Sequence, residues 1–226
     1  MKKFKIRASS AGKLLTNDRS GKNMGETAKS YIKEWLISEI TGKQKNVTSK
    51  YFERGHSMEE TAGLRVAKHY VVELIKNTEF LENEYFTGTF DFKIENDRVI
   101  DTKVPFDCFT FPYFVCEVDS DYYAQLQVYM NLTGLKKASL CYCLENGSEE
   151  QIERLSWKIA KDLGKDEPDI EEWEEAEKQL SYDHLPDNLR IKVFEFEYDE
   201  ALIEKLQNRV IEARNYIETE LVNKLK

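Results

Sequence analysis

The stretch that decides the reading of this chain is Thr87-Gly88-Thr89-Phe90-Asp91, followed after nine residues by Asp101-Thr102-Lys103. Side chains along a strand alternate between faces, so in Ile100-Asp101-Thr102-Lys103-Val104 the residues Asp101 and Lys103 share one face, while Ile100, Thr102 and Val104 take the other. A carboxylate and an ammonium then point into the same space. If Asp91 ends the neighbouring strand of a hairpin, its carboxylate joins them, and together they offer the hard oxygen ligands that Mg²⁺ or Mn²⁺ favours. The triplet alone is weak: Asp91-Phe92-Lys93 has the same form, and in a chain with 33% charged residues a cross-strand surface ion pair explains either one.

Two flanking stretches bear on that site. Upstream, Arg54-Gly55-His56-Ser57-Met58-Glu59-Glu60-Thr61-Ala62 reads as helix, and Glu59 is either a third carboxylate for the cluster or a solvated helix residue. Downstream, Tyr122-Tyr123-Ala124-Gln125-Leu126-Gln127-Val128-Tyr129-Met130 places two amides on a helix apolar enough to be buried. A buried Gln needs partners, so Gln125 or Gln127 either satisfies core backbone groups or faces a ligand.

Working outward, Ser9-Ser10 precedes Ala11, Leu14 and Leu15 as an N-cap would, and residues 17–26 read as a polar, Gly-containing mobile loop. Helical spacing predicts a helix from Thr27 to about Thr41 closed by Gly42, and a second from about Ser49 to His69. The segments Glu79–Tyr85, Phe86–Ile94 and Arg98–Val104 read as consecutive strands of an antiparallel meander. A helix over Asp119–Leu132 ending at Gly134 and a buried strand over Ala138–Leu144 follow. After an acidic helical insertion at about 146–187 come an outer strand, Arg190–Tyr198, and a long helix capped by Asp199 and running to about Asn223. The pattern is that of a single α/β (α+β) domain over 1–226.

With 41% apolar and 12% aromatic residues, the chain has the means to build a core, and wholesale disorder is excluded. No apolar run nears the ~20 residues of a membrane span, and Met1-Lys2-Lys3-Phe4-Lys5 lacks a secretory signal, so a cytoplasmic protein is expected. Cys141 and Cys143 alternate along one strand and read as small buried hydrophobes rather than a zinc or iron-sulfur site. The net charge of -9 conceals a split: residues 1–50 hold 12 basic against 4 acidic side chains, and residues 145–226 hold 12 against 23. The basic end suits a phosphate partner; the acidic end does not.

In this order the segments resemble the lambda exonuclease and YqaJ-like viral recombinase family, a branch of the PD-(D/E)XK nucleases. The matching pieces are Ile6-Arg7-Ala8-Ser9, Gly55-x-x-x-Glu59 with Ala62, Gly88-Thr-Phe-Asp91, Asp101-x-Lys103-x-Pro105 and Tyr123-Ala124-Gln125-x-Gln127. The resemblance implies a restriction-endonuclease-like core, a central mixed sheet flanked by helices. It implies that Asp91, Asp101 and the Thr102 carbonyl hold Mg²⁺ or Mn²⁺, as two ions per site, that Glu59 assists at the second ion and that Lys103 activates the nucleophile. Gln125 would support the site. Ser9, with Lys2, Lys3 and Lys13, would bind the 5'-phosphate of the DNA. The activity it implies is 5'-to-3' digestion of one strand from double-stranded DNA ends by a homotrimer, in partnership with a single-strand annealing protein, in a phage or prophage setting. Asp101 stands where that family usually has Glu. A structure-specific or repair endonuclease of the same fold and a non-catalytic nucleic-acid- or protein-binding module are the alternatives.

Overall fold

A computed structural model describes residues 2–45, 54 and 58–225 of the chain. Its strands form two sheets. The small one contains β1 (Ile6–Arg7), β3 (Leu81–Glu82) and β4 (Phe86–Gly88) in the order β1-β4-β3, with β1 parallel to β4. The larger one contains β2 (Ile75–Lys76), β5 (Phe92–Ile94), β6 (Arg98–Lys103), β7 (Lys137–Cys143) and β8 (Ile191–Glu197) in the order β2-β5-β6-β7-β8. Only its β6–β7 pair is parallel. A parallel pair needs a crossover, and the helix between those strands supplies it.

Seven helices surround the sheets among the described residues: α1 (Ala11–Leu14), α2 (Glu26–Thr41), α3 (Glu59–Tyr70), the crossover α4 (Ser120–Thr133), α5 (Glu149–Asp162), α6 (Ile170–Gln179) and α7 (Glu200–Tyr216). Strand alternation divides the core between the two faces of the larger sheet. Val99, Ala138 and Leu140 turn toward α4 and α7, where they join Leu126, Met130, Leu206 and Val210. Ile100, Cys141 and Cys143 turn the other way, onto Ala62 and Val66 of α3. Both thiols are held well above their usual pKa, first by burial, and pack as hydrophobes. α3 comes close because it has Gly63 at the contact: a Cβ there would stand 2.6 Å from the Phe92 ring.

The expected α/β core with a mixed sheet is therefore present, and several details differ. Phe86–Ile94 is not one strand: β4 and β5 belong to different sheets, and the chain breaks between them at Thr89–Asp91. The expected single meander is thus two antiparallel pairs, β3–β4 and β5–β6. Strand structure in Glu79–Tyr85 is confined to Leu81–Glu82. Ser10 stands before α1 without making a side-chain cap bond, whereas Asp119 and Asp199 do cap α4 and α7. Residues 17–26 are organised around Asp18, whose carboxylate accepts from Ser20 and Asn23 and is held well below the usual range by those bonds. Much of the expected helix over 49–69 lies outside the described residues before α3 begins at Glu59. The last helix leaves regular α geometry at Tyr216 and continues through a π turn, Ile217–Leu221. The acidic insertion is a helical hairpin, α5 packed on α6, each opened by a capping box.

Candidate active site

The site forms where β6 outruns its neighbour. Pairing between β5 and β6 starts at Phe92–Ile100, so Asp101, Thr102 and Lys103 extend past the end of β5. On that edge the Thr102 backbone has no ladder partner from β5, and Asp91, just before β5, takes its place. Asp91 Oδ2 accepts from the Thr102 amide at 2.7 Å and from Thr102 Oγ1 at 2.8 Å. In an extended strand the N–H and C=O of one residue point to the same edge. The Thr102 carbonyl therefore faces the side where Asp91 sits, and both hydrogen bonds fall on one Asp91 oxygen, which leaves Oδ1 for another ligand.

Asp101 is buried, its side chain 3% exposed, and it faces α4. Gln125 Nε2 donates to Asp101 Oδ1 at 3.2 Å and to the Tyr129 hydroxyl at 2.9 Å. Oδ2 of Asp101 is the one buried side-chain oxygen or nitrogen among the described residues without a directed hydrogen bond. The Lys103 ammonium lies 2.5 Å from it, as an ion pair off the hydrogen-bonding direction. Burial pushes the Asp101 carboxyl up to about 6; Lys103 opposes that rise, and Asp91 and Glu59 add to it. Burial pulls Lys103 down, but the Asp101 carboxylate more than reverses this and holds the amine well above its usual pKa. Lys103 is consequently a fixed cation. The Tyr122 ring covers it, with Nζ 5.1 Å from the ring centre.

The structure thus brings Asp91, Asp101, Thr102, Lys103 and Gln125 together, with Glu59 close enough to act on Asp101 while also 3.5 Å from Lys76. Neighbouring carboxylates, a buried carboxylate oxygen held by an ion pair alone and a strand carbonyl turned to the same side are a donor set that fits Mg²⁺ or Mn²⁺. The two glutamines realise both expectations: Gln125 faces the site, while Gln127, fully buried, bonds the Glu197 carbonyl and the Asp199 amide. Tyr129 and Tyr122 were not singled out by the sequence reading. Tyr129 stands four residues from Gln125, the spacing that stacks side chains on one helix face, and that signal was available.

The four residues expected at a phosphate do not gather in the same way. Lys2 and Lys3 line a cleft of about 780 Å³ together with Lys5, Arg7, Tyr31 and Trp35. Lys3 is engaged with Glu84 at 2.8 Å. Ser9 is exposed in a 3₁₀ turn (Ala8–Ser10), outside the residues lining that cleft, and the exposed Lys13 reaches it only by resting over the Tyr31 ring. The turn is nonetheless tied to the site: a Cβ on Gly88 would lie 3.0 Å from Ala8 and 2.9 Å from the ring of Tyr129.

No protein-family model matches the chain, and no curated protein sequence does. Among solved structures, a phage-related exonuclease from Haemophilus somnus 129PT matches at 25% identity and a TM-score of 0.78, covering 100% of this chain and 98% of that one. The alkaline exonuclease LHK-Exo from Laribacter hongkongensis matches at 17% identity and a TM-score of 0.68, covering 98% of this chain and 91% of that one. A structure of LHK-Exo in complex with dAMP matches with the same TM-score, 0.68. The likeness to the lambda exonuclease and YqaJ-like family carried by the sequence motifs is borne out: end to end, this chain has the fold of those exonucleases.

Proposed function

We propose that the chain is a nuclease of the lambda exonuclease type, a Mg²⁺- or Mn²⁺-dependent enzyme that digests one strand of linear duplex DNA from its 5' end. The observation that carries this reading is the buried Asp101 carboxylate, whose Oδ2 lacks a directed hydrogen bond beside the Lys103 cation, with Asp91 held on the Thr102 amide of the same strand. The exonuclease at 25% identity supports it, and the dAMP complex of LHK-Exo fits a reaction that releases nucleoside monophosphates.

Asp91, Asp101 and the Thr102 carbonyl would hold the first ion and Glu59 would serve a second. Bound there, the metal supplies a water of lowered pKa and charge to stabilise the phosphorane-like transition state. The chain's own groups do the rest. Thr102 fixes one Asp91 oxygen and Gln125 fixes one of Asp101, so the remaining oxygens are preset. Lys103 would orient the attacking water and offset charge on the phosphate. Tyr122 limits the directions its ammonium can take. The amino-terminal cations Lys2, Lys3 and Lys13, with Ser9, would receive the terminal phosphate, and the product would be a 3' overhang for a single-strand annealing protein. A homotrimer would fit processive digestion.

Incubation of 5'-phosphorylated linear duplex with the protein and Mg²⁺ tests the reading. Release of acid-soluble nucleotide is expected, with covalently closed circles untouched and Asp91→Asn inactive. Absence of release, or equal release by Asp91→Asn, removes the proposal; nicking of circles replaces it with an endonuclease.

A further inference from the structure

Arg54 is 4% exposed, and its guanidinium grips three separate segments. Its Nε donates to the carbonyl of Pro105 at 3.1 Å, two residues beyond Lys103. Its Nη2 donates to the carbonyls of Glu145 at 2.8 Å and Asn146 at 3.1 Å, where the chain leaves β7 for the acidic hairpin. Its Nη1 donates to Gln151 Oε1 in the first turn of α5. Gln151 extends the grip, since its Nε2 donates to the carbonyl of Phe106 at 3.0 Å while its Oε1 receives the Ser148 amide.

The backbone of Arg54 leads to the other half of the site. Its carbonyl accepts from the Met58 amide at 3.0 Å, and the Met58 carbonyl accepts from Ala62 at 2.9 Å. Those i to i+4 bonds run into α3, whose first residue is Glu59. One residue therefore anchors the helix start that carries Glu59 and, through its guanidinium, the end of the strand that carries Asp101 and Lys103. Burying a guanidinium is unfavourable, and burial does lower the Arg54 pKa. Its rigid planar fork of donors, however, fixes the directions of several acceptors at once, which a lysine cannot do.

We propose that Arg54 is a positioning residue for the metal site, a brace that holds Glu59 at a set distance from Asp101 and Lys103, with Gln151 and the root of the acidic hairpin as its footing. The inference rests on the metal-site reading above and goes beyond it by giving the hairpin a task. Mg²⁺ and Mn²⁺ accept little error in the placement of their oxygen ligands, so a small drift between the helix and the strand weakens binding.

Mn²⁺ affinity of the full-length protein, measured by calorimetry, tests the brace without any need for DNA cleavage. Arg54→Lys is expected to weaken Mn²⁺ binding about tenfold or more, as loss of a group that orients metal ligands does. Gln151→Ala is expected to weaken it less, in the same direction. Arg209→Lys is the control: Arg209 is similarly buried but binds Asn17 and Glu212, away from the site, so this variant loses thermal stability and keeps its Mn²⁺ affinity. Wild-type affinity in both Arg54→Lys and Gln151→Ala, or an equal loss in Arg209→Lys, overturns the brace and leaves the metal site standing. A wild-type protein that binds no Mn²⁺ at millimolar concentration overturns the metal site and the brace with it. Mn²⁺ binding by a wild type that cleaves no duplex overturns the nuclease reading alone.

Discussion

Two buried acidic clusters in this molecule are built on opposite plans. Around Glu145, whose side chain is 2% exposed, Arg65 gives a two-pronged bond at 2.6 and 2.8 Å, and Arg190 approaches at 3.6 Å while also binding Asp183. Around Asp101, equally buried, Asp91 and Glu59 add negative charge, Lys103 is the ammonium within ion-pair distance of its carboxylate, and one oxygen lacks a directed hydrogen bond. The first cluster closes on itself and ties α3 to the residue just before β8. The second is deficient in positive charge, the condition in which a cation from solution completes it.

Exchanging one oxygen for nitrogen in each cluster breaks or sharpens the contrast. Asp101→Asn is expected to lower turnover by about 10²-fold or more, because a carboxylate that would hold the metal is lost. Thermal stability of the metal-free protein should change little, since burial disfavours the ionised carboxylate it removes and the Lys103 ammonium it leaves is 26% exposed, within reach of solvent. Glu145→Gln should do the reverse. It leaves two buried guanidinium groups short of charge, costs about 3–5 kcal/mol and lowers the melting temperature on the order of 10 °C, with Mn²⁺ affinity unchanged. Calorimetry on both proteins, scanning and titrating, reads all four quantities; matching losses in both would erase the distinction.

Acidity provides a milder probe. A carboxylate must be deprotonated to bind a metal, and Asp101 has its pKa raised to about 6. Mn²⁺ affinity should therefore begin to fall as the pH drops through about 6, where an ordinary carboxylate would hold its ion to about 4. Titrations at pH 7.5, 6.5 and 5.5 that show no decline would mean that Asp101 does not ligate. The smallest effect separates the two glutamines. Gln127→Ala should cost about 1–3 kcal/mol by stranding the Asp199 amide and leave metal binding intact, whereas Gln125→Ala should weaken metal binding with less cost to stability.

What could be read from the sequence follows the range of the interactions involved. Strand alternation placed Asp101 and Lys103 on one face, and caps such as Gly42, Gly134 and Asp199 marked helix ends, because these signals act within a few residues. The break between β4 and β5 left no such trace. Thr89-Phe90-Asp91 continues a plausible strand, and only the pairing of β4 with distant β1, Phe86 opposite Ile6, draws it into another sheet. Asp91 falls at that break, so its partnership with the Thr102 amide was not readable either. Arg54 gave no local signal at all: its acceptors lie 51 to 97 residues away. The amino-terminal lysines were legible as charge but not as geometry, and Lys3 is engaged with Glu84.

The close seating of α3 at Gly63 carries a consequence for the chemistry. Glu59 and Gly63 are one helical turn apart, and Phe92, against which Gly63 lies, follows Asp91 directly. The gap between the outlying carboxylate and the inner two is thus gauged by a missing carbon. A single methyl at that position would act as a shim, tilting the helix outward and prising Glu59 away from the two aspartates, though no charged group had been touched.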